Sequence, residues 1–519
     1  MYANALSAVI LGLDVHPVQV EADVSDGLPC FIMTGFASAQ MKEAQDRVRT
    51  ALRNIGISLP PRRITVNFSP ADIRKEGAGF DLPVAAAILA AGGALPASNL
   101  EKVMIAGELS LNGEIHAAAG ILPRVLKARE LNCRYCLIPV QNLAEASLVP
   151  DMEVIGAASL TDALNCLMDP DLYRILHPER VSLSDTEKNI LPDLTEAEHI
   201  VDFSEIHGQE AARRAALIAA CGFHNLLMIG PPGSGKTMIA RRIPTILPRL
   251  SFEECLELTR IYSIAGLLSE DRPLIVHRPF RSPHHTSTAQ ALAGGGRNPR
   301  PGEVTLAHMG VLFLDELPEF GRNVLEILRQ PLEDRVICIS RSSGTFLFPA
   351  CFMLAAAMNP CPCGYYPDMN RCICSTAQVS HYLGRISQPL LDRIDLCCDV
   401  EPVSFDDMIR KKPAESSRDM RARVEKVFQI QRERYRHESF SFNGQLYGKK
   451  IDMYCPVTPA AQKTLSISFE RTAFSARSYH RILKVSRTIA DLDESEVIHS
   501  RHVCEALSYR VFDVKYWNR

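Results

Sequence analysis

The features that would mark a membrane or secreted protein are missing from this sequence of 519 residues. No run of about eighteen apolar residues, the length of a membrane-spanning helix, occurs in it. The N-terminal segment MYANALSAVILGLDV has no basic residue and no small-residue cleavage site, so it predicts a first β-strand and not a signal peptide. Internal repeats and low-complexity tracts are also missing. We therefore expect a cytoplasmic globular protein that does not contact a membrane.

A strong excess of charge is also missing, since the formal net charge is −3. This balance excludes a broadly basic nucleic-acid-binding surface but leaves room for a local basic channel. A hydrophobic share of 46% and a charged share of 23% are ordinary for a globular protein. The chain is too long for a single hydrophobic core, so about two to four domains are expected.

Segment composition predicts a multidomain α/β protein. Residues 1–166 mix β-rich segments such as RRITVNFS with Ala-rich helical ones, which indicates a compact α/β domain. Residues 167–200 are polar and acidic with scattered prolines, which is typical of a linker, with room for a short helix. An α/β core is expected at 201–402, and the helical periodicity of 403–519 predicts a helical lid.

The strongest motif is GPPGSGKT, which matches the phosphate-binding pattern G-x-x-x-x-G-K-[ST]. The apolar segment Leu226–Ile229 precedes it, and a helical segment follows. Loop N–H groups and the helix N-terminus favour bound phosphates, and Lys236 and Thr237 are expected to hold the β- and γ-phosphates and Mg²⁺. The predicted ATP-binding residues are Gly230, Pro231, Pro232, Gly233, Ser234, Gly235, Lys236 and Thr237.

Two further apolar segments end in polar residues. VLFLDE ends in Asp315, expected to orient Mg²⁺ through water, and Glu316, expected to polarise the attacking water. FMLAAAMN ends in Asn359, at a position similar to the γ-phosphate sensor of AAA+ ATPases. Arg393 in PLLDRIDL lies where an arginine finger for the neighbouring subunit's ATP would lie, and Arg477 lies where a second sensor would. Surface ion pairs are the alternative for both arginines.

Four cysteines follow Asn359 within NPCPCGYYPDMNRCIC. Cys361, Cys363, Cys372 and Cys374 can close a tetrahedral structural Zn²⁺ site, although one residue within each pair is a tight spacing. A redox-sensitive dithiol pair and unligated thiols are the alternatives. Four protein ligands leave no open position, so a catalytic metal is not expected. The cluster would set the distance between Asn359 and Arg393.

Together, GPPGSGKT, PFRSPHHTSTAQALAGGG, GVLFLDELPEF, NPCPCGYY and PLLDRIDL resemble, from end to end, the ComM (YifB) family of magnesium-chelatase-like AAA+ ATPases. The resemblance implies a Lon-protease-like N-terminal domain, an AAA+ core, a C-terminal helical domain and a homo-hexameric ring. It further implies an ATP-driven helicase that promotes branch migration during natural transformation. The expected partners are single-stranded or branched DNA and recombination proteins.

The Lon-like domain lacks the Ser–Lys dyad of Lon proteases. The corresponding turn, RKEGAGFDLPVA, contains no serine, and no serine occurs between Ser69 and Ser98. The segment GEIHAAAGILPRVLKA resembles the one that holds the Lon lysine, but Arg124 aligns there. Because an arginine stays protonated, it cannot act as the base, and we expect this fold without protease chemistry.

Two inserts are candidates for DNA contact. AGGGRNPRPGEV (Ala293–Val304) predicts a mobile loop carrying Arg297 and Arg300. RVICISRSSGTFLFPA predicts a β-hairpin with a Ser-Ser-Gly turn and Arg341 at its tip. In relatives with such a hairpin both inserts point into the ring's pore, and six subunits would multiply each arginine. Solvated surface loops are the alternative.

Other polar segments are interpreted more plainly. The basic segment SRDMRARVEKVFQIQRERYR is favoured as a solvated helix face over a DNA-binding one. Adjacent His284 and His285 are expected to make hydrogen bonds near the ATP site or a subunit interface. The main rival function is a chelatase-type or chaperone-type ATPase that remodels a protein partner. Arginines in the pore favour DNA over that rival.

Overall fold

The computed structural model describes residues 1–35, 39–73, 75, 79–183, 201–269, 271–341, 344–402, 414–472, 475–510 and 515–517. They form two compact units, each with its own hydrophobic core. The first unit contains the described residues up to 183 together with Phe252–Val276 and Asn298–Arg300, and the second contains the rest. Phe252–Val276, which lies within the predicted ATPase core, therefore packs with the N-terminal unit.

Nineteen strands are formed by the described residues. In chain order they are β1 (Tyr2–Leu11), β2 (Asp14–Ser25), β3 (Cys30–Thr34), β4 (Arg63–Ser69), β5 (Val103–Ile105), β6 (Glu108–Leu109), β7 (Ile115–His116), β8 (Tyr135–Pro139), β9 (Glu153–Ala157), β10 (Val181–Leu183), β11 (Leu226–Ile229), β12 (Phe280–Arg281), β13 (Gly294–Gly295), β14 (Arg300–Pro301), β15 (Val311–Leu314), β16 (Val336–Arg341), β17 (Gly344–Pro349), β18 (Met353–Met358) and β19 (Leu396–Asp399).

The α-helices of the described residues, in chain order, are α1 (Ala39–Asn54), α2 (Asp81–Ala91), α3 (Ile121–Glu130), α4 (Leu143–Ala146), α5 (Leu160–Met168), α6 (Pro170–Leu176), α7 (Glu210–Gly222), α8 (Lys236–Ile246), α9 (Phe252–Ala265), α10 (Ala289–Ala293), α11 (Glu303–Leu306), α12 (Arg322–Ile327), α13 (Arg329–Asp334), α14 (Thr376–Leu383), α15 (Gln388–Leu391), α16 (Ser417–Arg434), α17 (Lys449–Tyr454), α18 (Pro459–Thr472), α19 (Ala476–Leu492) and α20 (Ser500–Ser508). None of them combines the length and the apolar character that crossing a membrane requires.

The first unit is built on an eight-stranded mixed sheet with the order β10-β9-β8-β5-β1-β2-β4-β3. The N-terminal segment forms β1, the first strand predicted from the sequence. Strand β2 shows the alternation of a half-buried strand, with Val18, Val20 and Val24 buried and Gln19 exposed. Helix α2, whose residues are all buried, packs against β1 and β2.

Part of the predicted linker belongs to this first unit. Helix α6 begins at Pro170, with Asp169 as its N-cap residue, and β10 pairs antiparallel with β9. A short helix was expected there, but a strand was not. Strand β10 has only three residues, which is too few for a periodic pattern of apolar residues. Residues 184–200 of the predicted linker lie outside the described residues.

The second unit contains a five-stranded parallel sheet with the order β12-β15-β18-β11-β19. Every residue of β11, β15 and β18 is buried, as expected for apolar strands covered on both faces. The central strand β11 pairs with both β18 and β19. Ligands of such sheets bind outside the carboxyl ends of the strands. The loop after β11 lies at that end, where a ligand-binding loop is expected.

The C-terminal helices share the hydrophobic core of the second unit. Basic helix α16 buries Met420, Val424 and Val427 on one face and packs against α7 and α8. Most of its basic residues are exposed, but Arg421 and Arg434 are half-buried. The Arg434 guanidinium donates two hydrogen bonds to Asp491 of α19, at 2.5 and 2.8 Å.

Removing the Asp491 carboxylate is expected to destabilise the second unit strongly. Asp491 also accepts hydrogen bonds from Arg487 (3.1 Å) and Asn443 (2.8 Å), and both Asp491 and Arg487 are buried. Asp491→Ala leaves buried Arg487 and half-buried Arg434 without their counter-charge, which costs about 3–5 kcal/mol of unfolding free energy. Urea unfolding followed by the fluorescence of Trp517, the single tryptophan, measures this loss. The control Glu494→Ala removes an exposed ion pair with Lys426 and is expected to change stability by less than about 0.5 kcal/mol. Equal effects of the two variants would contradict the prediction.

Candidate functional site

The glycine loop between β11 and α8 has the strand–loop–helix arrangement predicted from the sequence. Gly233 (φ +75°) and Gly235 (φ +93°) adopt left-handed conformations that favour glycine. Gly230 is required for another reason, because a Cβ atom there would lie 2.1 Å from the carbonyl oxygen of Val400. The loop therefore has little tolerance for side chains at its glycine positions.

Lys236 is buried at the start of α8 and is surrounded by neutral acceptors. Its ammonium group donates to the carbonyl oxygens of Gly230 (2.7 Å) and Pro231 (2.8 Å) and to the amide oxygen of Asn359 (3.3 Å). Burial lowers the pKa of Lys236 to about 8, and the nearby Asp315 carboxylate opposes this shift. A buried ammonium group with neutral partners fits an anionic ligand such as a phosphate.

Thr237 and Asp315 meet beside this lysine. The Thr237 hydroxyl donates to Oδ2 of Asp315 at 2.8 Å. Strand β15 delivers Asp315 and β18 delivers Asn359, because their parallel pairing brings their carboxyl ends to one edge of the sheet. A hydroxyl group and a carboxylate are hard oxygen ligands, which suit Mg²⁺.

Glu316 adopts a left-handed backbone conformation with φ +52°, uncommon for a residue other than glycine. Its backbone N–H donates to Oδ1 of Asp315 at 2.9 Å. Its carboxylate lies 3.3 Å from Nδ1 of His285, which follows β12, the neighbour of β15. The His284 ring lies against His285 and its Nδ1 is 2.8 Å from the Thr286 hydroxyl. His285 thus contacts the predicted catalytic glutamate, in line with the hydrogen-bonding role expected for this pair.

Arg393 and Arg477 lie together in a different place, a cleft of about 560 Å³. None of Gly230–Thr237 is among the described residues that line it. Arg393 is half-buried and donates to the carbonyl oxygens of Arg329 (3.0 Å) and Pro389 (2.7 Å) and to the carboxylate of Glu333. Arg477, near the start of α19, is exposed. The cleft that holds these two arginines is therefore not lined by the phosphate loop of the same chain.

The predicted hairpin is present as β16 and β17, with Arg341 opposite Gly344 next to the turn. The turn residues 342 and 343 lie outside the described residues. Arg341 is exposed, and its Nε donates to the carbonyl oxygen of Gly296 at 3.3 Å. Exposed Arg297 follows that glycine directly, so two of the three predicted DNA-contacting arginines share one surface. Arg300 is also exposed but packs with the first unit.

The four sulfur atoms of Cys361, Cys363, Cys372 and Cys374 all lie within 4.8 Å of one another. Cys361 Sγ is 3.3 Å from Cys363 Sγ and 3.8 Å from Cys372 Sγ, and Cys363 Sγ is 3.6 Å from Cys372 Sγ. Tetrahedral Zn²⁺ with Zn–S bonds of about 2.3 Å requires sulfur–sulfur distances of about 3.8 Å. The cluster therefore fits a tetrahedral Zn²⁺ ion.

The Lon-like unit places Gly79 and Arg124 near each other. A Cβ atom at Gly79 would lie 3.8 Å from Nη2 of Arg124. The other nitrogens of Arg124 donate to the carbonyl oxygens of Ala8 (3.1 Å), Ala119 (2.8 Å) and Gly120 (3.1 Å). Burial lowers the pKa of Arg124 to about 10, which still leaves it charged at neutral pH.

Two residues at these sites carried no recognisable sequence signal. Gln209, just before α7, donates to the carbonyl oxygens of Ser234 (3.2 Å) and Glu401, and so fixes the glycine loop. Buried Lys75 donates to the carbonyl oxygens of Phe68 (3.2 Å) and Pro70, and burial lowers its pKa. The acceptors of Gln209 are far away along the chain, so only tertiary structure brings them near, whereas those of Lys75 lie five and seven residues before it.

Comparison with known proteins agrees with this geometry. The family model "Magnesium chelatase, subunit ChlI" matches residues 202–408, and its C-terminal counterpart matches 414–510. "Subunit ChlI of Mg-chelatase" matches residues 20–142. Lon protease 2 of Bacillus subtilis is 28% identical over 125 residues, covering 24% of this chain and 22% of that protein.

Similarity to two bacterial proteins extends over nearly the whole chain. Competence protein ComM of Haemophilus influenzae is 42% identical over 517 residues, covering 98% of this chain and 97% of its own. YifB of Escherichia coli is 39% identical over 505 residues, covering 97% and 96%. The phosphate loop, the acidic strand end and the parallel sheet are those of an AAA+ core. The chain therefore belongs to the ComM/YifB family of magnesium-chelatase-like AAA+ ATPases, with a Lon-protease-like N-terminal domain and a C-terminal helical lid.

Proposed function

We propose that this protein is a hexameric, Mg·ATP-dependent motor on single-stranded or branched DNA that drives unwinding or branch migration during natural transformation and recombination. The observation that carries this proposal is the separation of Arg393 and Arg477 from the phosphate loop of the same chain. We therefore assign these two arginines to the ATP of a neighbouring subunit. The relative named as a competence protein supports a role in DNA uptake.

Nucleotide binding is assigned to the residues around the glycine loop. Lys236 binds the β- and γ-phosphates, and the loop N–H groups of Gly230–Thr237 bind the remaining phosphate oxygens. Thr237 and Asp315 hold Mg²⁺, which neutralises charge on the phosphates. Because Lys236 already donates to Asn359, that amide lies where it can contact the γ-phosphate or the attacking water.

Hydrolysis is assigned to Glu316, which polarises the attacking water. In the structure its carboxylate is turned to His285, so it must leave that contact, or share it with water, before it acts. General-base assistance of this kind contributes about 10²–10⁴-fold to rate.

Arg393 and Arg477 are assigned to the ATP bound by the adjacent subunit. Both lie in one cleft, so both can approach the same phosphate group. Arg393 is held by Glu333 within its own chain, and binding a neighbour's γ-phosphate requires it to exchange one anion for another. Hydrolysis then depends on assembly, because a finger arginine is worth about 10³–10⁵ in rate.

DNA contact is assigned to Arg297, Arg300 and Arg341. The bond from Arg341 to the carbonyl oxygen of Gly296 connects the hairpin to the glycine-rich loop, directly beside Arg297. Six copies supply a ring of positive charge without a basic chain overall. We further propose that the Cys361 cluster holds structural Zn²⁺, that the Lon-like domain is inactive as a protease, and that the protein is cytoplasmic.

The competing function is remodelling of a protein partner, and one observation favours it. Leu347 of the hairpin is 63% exposed, and an apolar residue there suits an unfolded polypeptide. DNA remains the better candidate, because exposed Arg341 lies on the same hairpin and exposed Arg297 lies on the loop that Arg341 contacts. The two functions predict different stimulators of the ATPase.

An ATPase assay with and without single-stranded DNA tests the proposal. We expect DNA to stimulate hydrolysis, stimulation to fall as salt concentration rises, and Lys236→Ala to abolish both rates. An unfolded protein such as casein serves as the competing stimulator. Stimulation by casein alone, with no salt-sensitive DNA binding, would favour the remodelling function.

A further inference from the structure

The cysteine loop touches the phosphate loop directly. A Cβ atom at Gly364 would lie 2.5 Å from Cδ and 3.0 Å from Cγ of Pro232, the third residue of GPPGSGKT. Gly364 also has φ +87°, so both its backbone conformation and the contact exclude a side chain. Elsewhere in the phosphate loop, Gly230 is packed as tightly against Val400, the residue after β19. The phosphate loop is therefore in close contact with both Val400 and the cysteine loop.

A second connection joins the two loops. Asn359, which accepts a hydrogen bond from Lys236, lies two residues before Cys361. The segment that contacts the lysine thus continues into the cysteine cluster and returns to the phosphate loop at Gly364. Any change in the shape of the cluster acts on both contacts.

Few apolar side chains hold the cysteine loop in shape, and its backbone is ordered mainly by local turns such as the bond from the N–H of Cys372 to the carbonyl oxygen of Asp368 at 2.8 Å. Of residues 361–374, only Cys361 and Gly364 are buried, while Met369 and Ile373 are 76% and 88% exposed. The Tyr366 N–H points to Cys361 Sγ at 3.4 Å, and the N–H of Gly364 donates to the carbonyl oxygen of Cys361 at 3.0 Å. In a segment with so few buried apolar side chains, a metal held by four thiolates would supply much of the order.

We propose that a metal ion held by Cys361, Cys363, Cys372 and Cys374 positions Pro232 through Gly364, so that metal occupancy controls nucleotide affinity. This inference rests on the proposed binding of ATP at the glycine loop. It differs from a role of the cluster as a spacer between Asn359 and Arg393. A spacer would affect hydrolysis at the subunit interface and leave nucleotide binding unchanged.

The contact is tested with Gly364→Ala in the full-length protein. Zinc per subunit is measured by mass spectrometry, and affinity is measured with a fluorescent ATP analogue and Mg²⁺. Because the new methyl group pushes on Pro232 and keeps all four thiols, we expect unchanged zinc content and about tenfold or more weaker binding. Gly56→Ala in the first unit is the matched control, since Gly56 has φ +86° but no atom within 4 Å of its Cβ position. It should leave affinity unchanged.

Metal removal provides a second test, which uses the wild-type protein and so does not depend on whether a substituted protein folds. Treating the wild-type protein with a zinc chelator should weaken analogue binding by a similar factor, and adding Zn²⁺ back should restore it. Cys372→Ser should lose zinc and affinity together, whereas Cys504→Ser, at an exposed thiol outside the cluster, should lose neither.

The outcomes separate this inference from the function on which it rests. Unchanged affinity after zinc removal, or in Gly364→Ala, overturns the inference while ATP binding stands. Less than about one-third of an equivalent of zinc in freshly purified protein that binds the analogue also overturns it. Failure of zinc-loaded wild-type protein to bind any ATP analogue overturns the proposed function itself.

Discussion

Arg393→Ala is expected to lower ATP hydrolysis by the assembled protein about 10³–10⁵-fold, with nearly unchanged affinity for the nucleotide. The reason is the position of Arg393, which lies with Arg477 in a cleft that no residue of the phosphate loop lines among those described. In the proposed function the arginine stabilises charge that develops on the γ-phosphate during hydrolysis, so we expect its loss to appear in the rate and not in ground-state binding. Steady-state ATPase rates and a fluorescent ATP analogue measure the two quantities separately.

Mixing experiments distinguish action in a neighbouring subunit from action in the same chain. Arg393→Ala subunits keep Glu316, and Glu316→Gln subunits keep Arg393, so a mixture of the two contains interfaces with both groups. We expect activity to reappear on mixing, although each variant alone is inactive. A mixture as inactive as its components would contradict the shared site.

Two controls address the structural bonds of Arg393. Its bonds to Arg329, Pro389 and Glu333 hold α13 and α15 together, so unfolding of Arg393→Ala must be followed by Trp517 fluorescence. Arg423→Ala, which removes an exposed ion pair with Glu415, should leave rate and stability nearly unchanged. Equal ATPase rates in an isolated wild-type monomer and the assembly, with Arg393 dispensable, would refute the shared site.

Arg341→Ala is expected to weaken binding of single-stranded DNA and to reduce its dependence on salt. Each phosphate contact on a single strand contributes about −0.7 to the slope of log K against log salt concentration. If all six copies in a ring contact phosphates, the slope of log K against log salt concentration becomes less negative by up to about four in the variant. Fluorescence anisotropy with labelled oligonucleotides, repeated at several salt concentrations, measures this slope.

Matched variants show whether charge or shape matters at the hairpin tip. Arg341→Lys keeps the charge but loses the guanidinium bond to Gly296, so it should retain most of the salt slope. Arg436→Ala removes an exposed charge just after helix α16, which is favoured as a solvated face, and should leave the slope unchanged. If Arg341→Ala leaves DNA binding intact while Leu347→Ser abolishes ATPase stimulation, the remodelling function gains support.

The sequence predicted the local parts of the nucleotide site well. An apolar strand, the glycine loop and a helix are contiguous, so their order is visible in GPPGSGKT and its flanks. Asp315 and Asn359 could be placed because each directly follows an apolar strand, and parallel strands bring their carboxyl ends to one edge. The hairpin with Arg341 next to its turn was also predictable, since the alternation of apolar and polar residues and the turn residues are local features of the sequence.

Other relationships were beyond a reading of the sequence. No periodic pattern in the sequence indicates that β10 joins the first sheet. None indicates that Phe252–Val276 packs with the first unit. Arg393 and Arg477 carried separate predictions, but nothing in the sequence indicated a common cleft. The contacts of Gln209 with Ser234 and of Gly364 with Pro232 join segments that are far apart in the chain.

The sequence by itself determined which chemical groups this protein possesses: the phosphate loop, the acidic strand end, the asparagine at the end of another strand and four closely spaced thiols. These are local, because a motif requires only the spacing of a few residues along one strand or loop. Tertiary structure alone decided which of those groups share a site and which are kept apart. That choice depends on how distant segments pack their buried faces, and packing is a property of the whole core.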